Sequence, residues 1–169
     1  MTEETPAGTG QVRVTRELSV SPDVAWTAWS DPSMIRQWWG PQGFTCPRAD
    51  VDFRVGGTTL VTMQAPAEYG GFQMHNRWTY TLIDAPQRLE FLSTFADATG
   101  SQIEPAAAGI PPGVPNEVPH IVELRPLPGG GTTLTVTELG YTSEEARAQS
   151  EAGQEQTLDK MQALLSTRS

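Results

Sequence analysis

VTRELSVSPDVAWTAWSDPSMIRQWWGPQGFT, Val14 to Thr45, carries a strand, two helix starts and a helix stop in one unbroken run. The strand begins slightly earlier. Val12, Val14, Leu18 and Val20 alternate onto one face, the period of a half-buried strand, and Arg16 interrupts that apolar side. Ser21 with Pro22 is an N-cap followed by proline at the first helical position, and Asp31 with Pro32 repeats the device. Two short consecutive helices are expected. In the second, Met34, Ile35, Trp38 and Trp39 form one apolar face that closes at the last turn, where Gly40 suits the left-handed position and Pro41 blocks continuation. Two of the chain's five tryptophans thus meet at one helix end. One ring there can pack beneath a sheet edge while the other caps an opening.

From Phe44 the pattern turns to strands, expected at 44–55, 58–65, 72–84, 88–95, 119–127 and 132–139. Gly56-Gly57 reads as a two-residue hairpin, DAPQR as the turn before 88–95, and PGGG as the last turn. Phe72, Met74, Asn76, Trp78, Tyr80 and Leu82 share one face, as do Leu89, Phe91, Ser93 and Phe95, and both faces are expected to point inward. Only 97–118 is long and irregular. Such segments are lids or disordered, and its prolines favour a restrained cover.

The chain closes on TSEEARAQSEAGQEQTLDKMQALLS, where Thr142 and Glu145 read as a capping box opening a helix to about residue 165. Its C-terminal half presents Leu158, Met161, Leu164 and Leu165 as an apolar stripe. The inward line of the N-terminal half is Ala146, Ser150, Gly153 and Thr157, all small, which leaves space between helix and sheet.

Composition narrows the function. With 20 acidic and 11 basic residues the formal charge is -9, and the basic residues are scattered singly, which argues against nucleic acid and anionic membrane surfaces as partners. Cys46, the single cysteine, cannot close an internal disulfide. The opening MTEETPAGTG lacks signal-peptide features, and no apolar run approaches the roughly 20 residues that span a bilayer. The expectation is a soluble cytoplasmic protein with a disordered tail over 1–10 and one domain over 11–166. No metal-ligand cluster, nucleophile elbow or phosphate loop is present in the sequence, and neither metal nor cofactor is implied.

The order strand, two short helices, six strands, long helix resembles the helix-grip or START-like fold (α+β, Bet v 1-like), in which a curved antiparallel sheet of about seven strands grips the last helix around a cavity. The run Val14–Thr45 is similar to the opening of the SRPBCC superfamily, in its activator-of-heat-shock-protein-ATPase homologue-like (AHSA) branch. VDFRVGG, LIDAPQRLEF and GQEQTLDKMQALL resemble that branch at matching places. The resemblance covers about Val12 to Leu165 and implies a cavity for an apolar or amphipathic molecule, without implying one activity. Relatives commonly carry a tryptophan where this chain has Gln154, which makes the helix side of the cavity more polar or more open here.

Asn76 on an apolar strand face, Arg16 on the apolar face of the first strand and the small half of the last helix point to a cavity, because buried polar groups need partners. A solid aromatic core is the plainer alternative. His120 shares a face with Val122 and Leu124. If PGGG pairs Val122 with Val136, His120 comes opposite Glu138, a pair suited to acid–base work or to a satisfied structural contact. Arg16 is either ion-paired at the end of the grip or a clamp for a carboxylate or carbonyl. His75 is expected to be solvated, and Cys46 an inert core residue. The candidate cavity wall is Arg16, Trp29, Trp39, Met74, Asn76, Trp78, Tyr80, Phe91, Phe95, His120, Gly153 and Thr157. Three functions stand: a binding protein for a small apolar or amphipathic molecule, a polyketide cyclase or aromatase-like enzyme, and a chaperone-ATPase-activating partner. The protein is expected as a monomer or homodimer.

Overall fold

Strand β1 (Val12–Leu18) leads into helices α1 (Pro22–Ser30) and α2 (Pro32–Trp38). There follow β2 (Thr45–Val51), β3 (Thr58–Gln64), β4 (Gln73–Asp84), β5 (Arg88–Ala96), the two-residue β6 (Gln102–Ile103), β7 (Val118–Pro126), β8 (Thr132–Glu138) and helix α3 (Glu144–Leu165). This computed structural model describes residues 10–167, so the tail expected over 1–10 lies, except for Gly10, outside the described residues. Gly10 is tied down: its carbonyl accepts the backbone N–H of Gly140 and of Tyr141, each at 3.1 Å.

The strands form one antiparallel sheet in the order β1-β8-β7-β5-β4-β3-β2, with β6 added to β5. It curls around α3, the helix-grip architecture. β2 is an edge strand, which is how it tolerates Pro47, a residue unable to donate to a ladder.

Both helix starts are built as their sequences dictate. Ser21 Oγ accepts Val24 N–H at 3.3 Å and Asp31 Oδ1 accepts Ser33 N–H at 2.9 Å. The paired tryptophans then divide. Trp38 is fully buried, donates Nε1–H to the Ala28 carbonyl at 2.8 Å and lies edge-on to Trp29 at 4.8 Å, locking α2 against α1. Trp39, one residue later, leaves the helix in an extended conformation (φ -69°, ψ 137°) and turns elsewhere.

Three local expectations need correction. The Gly56-Gly57 hairpin is a longer connection over 52–57, because Phe53 packs edge-on against Trp26 (5.9 Å) and Tyr80 (5.0 Å) and draws the chain out of the ladder. Leu82 is exposed: a register shift between Tyr80 and Leu82 ends the alternation, and Ile83 packs on the core instead. The last helix is capped by Ser143, whose Oγ accepts Ala146 N–H at 3.1 Å, while the Thr142 N–H is taken by the Gly113 carbonyl at 2.9 Å.

Gly40 has φ +99°, and a Cβ placed there would lie 3.2 Å from Phe44 Cβ and 3.4 Å from Met63 Cβ. Gly40→Val is therefore expected to lower stability by about 1–3 kcal/mol. A denaturant midpoint equal to the parent's would show that the left-handed glycine is not what stops α2.

Candidate ligand cavity

Helix α3 meets the sheet in two ways. Leu158, Met161 and Leu165 are fully buried and anchor its C-terminal half. The N-terminal half carries Ala146, Ser150, Gly153 and Thr157 toward the sheet, and a Cβ built on Gly153 would meet nothing within 4 Å. The consequence is a cavity of about 300 Å³ between helix and sheet. This is the lower end of the range for small-molecule sites.

Its wall is mostly apolar. Met63, Met74 and Phe95 come from the sheet, Trp39 with Gly40 and Pro41 from the end of α2, and Ile110, Val114 and Val118 from the segment after β6 and the start of β7. That long segment is an ordered cover. Asp97 closes its first turn by accepting Thr99 Oγ–H at 2.6 Å and the N–H groups of Thr99 and Ser101, and the Thr99 hydroxyl chiefly holds its carboxyl below the usual carboxylate range. Further on, Gly113 sits so close to Ser143 and Ala146 that no side chain would fit, and its carbonyl takes the Thr142 N–H.

One end of the cavity is polar and centres on Glu138, the last residue of β8, 3 % exposed. Oε1 accepts Tyr141 Oη–H at 2.5 Å and Ser150 Oγ–H at 3.2 Å, and Oε2 accepts Gln154 Nε2–H in a short bond. The register pairs Val122 with Val136 and His120 with Glu138, bringing His120 Nε2 to 3.7 Å from Oε2. The Val118 carbonyl can only accept, so His120 Nδ1, 3.0 Å away, carries the hydrogen and Nε2 is the atom turned to Glu138. The imidazole is also stacked on Phe91, at 4.8 Å and 16°.

Of the twelve candidate wall residues, the structure brings seven to this cavity: Trp39, Met74, Asn76, Phe95, His120, Gly153 and Thr157. Five lie elsewhere. Trp29 of α1 and the inward-facing Trp78, Tyr80 and Phe91 of the sheet are at most 2 % exposed, joined where the first two helices cover the sheet in a cluster in which Trp78 stacks on Phe91 at 4.7 Å and 21°. Arg16 points to the flank of α3, ion-paired with Glu155 (2.6 Å) and Asp159 (2.9 Å). His75 is half-buried with Nδ1 2.7 Å from Thr62 Oγ1, which corrects the solvated reading. Cys46 is buried, and desolvation pushes its thiol up.

The wall residues missing from the candidate set include Glu138, Tyr141, Ser150 and Gln154. Glu138 carried a legible signal, since alternation puts it on the inward face with Leu134 and Val136. Tyr141 lies beyond the strand, where no periodicity applies. Among the described residues no group of three His, Cys, Asp or Glu side chains could hold a metal ion, and no helix is long and apolar enough to cross a membrane.

A grip sheet, a gripped helix and a mixed cavity between them define a helix-grip protein of the SRPBCC kind. A family model described as Activator of Hsp90 ATPase homolog 1-like protein matches residues 19–166, and the chain belongs to this family. Among solved structures, a protein from Arthrobacter aurescens is 27 % identical with a TM-score of 0.75, the match covering 95 % of this chain and 88 % of that one. An AHSA1 protein from Silicibacter pomeroyi is 23 % identical (TM-score 0.75; 94 % and 99 % covered), and a protein from Chromobacterium violaceum 24 % identical (TM-score 0.74; 93 % and 97 % covered). These last two show the fold alone. No curated protein matches the chain.

The buried phenols lead to a pH prediction. Desolvation pushes Tyr80 up to about 12 against the easing effect of its Thr59 bond, and Tyr141 is raised well above the tyrosine range by burial and then by the adjacent Glu138 charge. The unfolded chain loses these protons first, near pH 10, so the stability they contribute is full below that pH and is lost as pH rises, Tyr80's share between about 10 and 12. Ultraviolet titration with circular dichroism, compared with Tyr80→Phe and Tyr141→Phe, should assign no tyrosinate near pH 10 to either residue while the fold is intact. A tyrosinate from either one there would contradict the burial argument.

Proposed function

We propose that this protein binds a small, largely apolar molecule between the sheet and α3. The observation that carries the reading is the open space at Gly153, where a helix faces its sheet through small residues and the wall combines Trp39, Met63, Met74 and Phe95 with one polar end. An ordered cover over the same space supports it.

A second reading is an enzyme of the polyketide cyclase or aromatase kind, favoured by one feature, the His120–Glu138 pair on the cavity wall. The two separate cleanly. A binder keeps its ligand unchanged, so native mass spectrometry of protein purified from its own cells returns one mass before and after incubation. An enzyme returns a product, and His120→Gln abolishes its formation while ligand is still held. A stoichiometric complex with a chaperone ATPase in a pull-down, with no ligand retained, would replace both readings with the activity in the family's name.

Gly153→Leu tests the cavity directly. In a packed core such overfilling costs about 1–3 kcal/mol, whereas here the added side chain enters open space and the helix gains about 1 kcal/mol on losing glycine. The expected result is a midpoint equal to or above the parent's, together with loss of binding of an environment-sensitive apolar dye. Dye binding retained by a normally folded variant would place the ligand elsewhere.

A further inference from the structure

The wall restricts what can occupy the cavity. Asn76 Nδ2 lies 3.4 Å from the Thr94 carbonyl, and because a carbonyl only accepts, the amide nitrogen must face it and Oδ1 must face away. Asn76 is 8 % exposed on the cavity wall, yet its Oδ1 accepts no hydrogen bond from any described residue. Gln154 is oriented by the same logic, with Nε2 on Glu138 and Oε1 left without a donor among the described residues. Ser93, diagonal to Asn76 on the neighbouring strand, has an Oγ that finds no partner among the described residues either. Trp39 Nε1, buried on the same wall, is a donor without an acceptor among the described residues, so the vacant atoms include two carbonyl oxygens, one hydroxyl and one N–H, a set that a hydroxyl, which donates and accepts, can meet.

Charge restricts it further. Among the described residues no Lys or Arg lines the cavity and Glu138 is its one acidic residue. Both Glu138 oxygens are already engaged, Oε1 by Tyr141 and Ser150 and Oε2 by Gln154, while His120 Nε2 faces Oε2 from 3.7 Å. His120, the wall residue able to carry positive charge, is turned to that same carboxylate. Among the described residues a buried ligand anion would find no free cation, and a buried ammonium no free carboxylate.

We infer that the occupant is an uncharged molecule with an apolar body and a hydroxyl group that donates to Asn76 Oδ1, an alcohol or phenol, and that carboxylates and amines are excluded. This rests on the binding reading above and names the chemistry of its ligand.

The test is a calorimetric titration of the whole chain at neutral pH with five probes of one shape: naphthalene, naphthol, methoxynaphthalene, naphthoate and naphthylmethylammonium. Naphthol is expected to bind about tenfold more tightly than methoxynaphthalene, which has the oxygen without the donor, and neither ion is expected to bind measurably. Asn76→Leu, similar in size but without the acceptor, should bring naphthol to the level of methoxynaphthalene and leave the latter unchanged. The parent comparison decides even if that variant does not fold. Equal binding of naphthalene, methoxynaphthalene and naphthol leaves the cavity standing and overturns the hydroxyl assignment. Tighter binding of either ion overturns the exclusion of charge. If no probe binds, the binding reading fails and takes this inference with it.

Discussion

The carboxylate of Glu138, 3 % exposed at the end of β8, has to be met by donors, and the chain supplies them from across the cavity. Tyr141 reaches it from the loop that enters α3, and Ser150 and Gln154 from successive turns of α3 itself. A buried carboxylate stripped of such partners is strongly destabilising, by about 3–5 kcal/mol where a buried pair is broken. The helix is thereby held at the span of a side-chain bridge from the sheet instead of settling onto it. Small residues at Ala146, Gly153 and Thr157 then leave that span unfilled. The strut and the small residues are one arrangement, because without the strut the small side chains would invite closer packing.

Two further polar ties fix the rest of the helix. Arg16 holds its flank to β1 through Glu155 and Asp159. Lys160 reaches toward the loop after α2, where Nζ lies 3.0 Å from the Gly40 carbonyl and 3.1 Å from that of Phe44, with Trp39 and Pro41 at 3.5 and 3.4 Å. Burial draws its ammonium below the usual lysine range. This tie explains why the two neighbouring tryptophans have different duties. Trp38 belongs to the helix and fills the core, while Trp39 belongs to a loop fastened to α3 and becomes cavity wall.

Much of this was legible in the chain. Ser21-Pro22 and Asp31-Pro32 mark helix starts because capping is a local event, and the PGGG turn sets the register that places His120 opposite Glu138. What escaped is tertiary. Alternation says which way Trp78, Tyr80 and Phe91 point but not how deeply they are covered. They sit under α1 and α2, whereas Met74, Asn76 and Phe95, inward-facing members of the same two strands, lie opposite the small half of α3 and stay open. The shift at Leu82 and the detour at 52–57 arise from packing of Ile83 and Phe53, which no local pattern announces.

The aromatic stack that runs up to the cavity at His120 bears on its chemistry. Trp78, Phe91 and His120 form a continuous stack across β4, β5 and β7, with ring separations of 4.7 and 4.8 Å. The imidazole is thus pinned on its Phe91 face, bound at Nδ1 to the Val118 carbonyl and turned at Nε2 to a carboxylate whose other lone pairs are taken. A general acid or base must reach a proton on its substrate within hydrogen-bond distance. At 3.7 Å the gap between Nε2 and Oε2 is longer than a direct hydrogen bond and admits a bridging atom at that one point. Asn76, by contrast, offers a free carbonyl oxygen on the wall without disturbing any tie. On the proposed reading, a molecule held there by its hydroxyl would lie against Trp39, Met74 and Phe95, with the bridge from Glu138 to Ser150 and Gln154 left intact as the strut that keeps the space open.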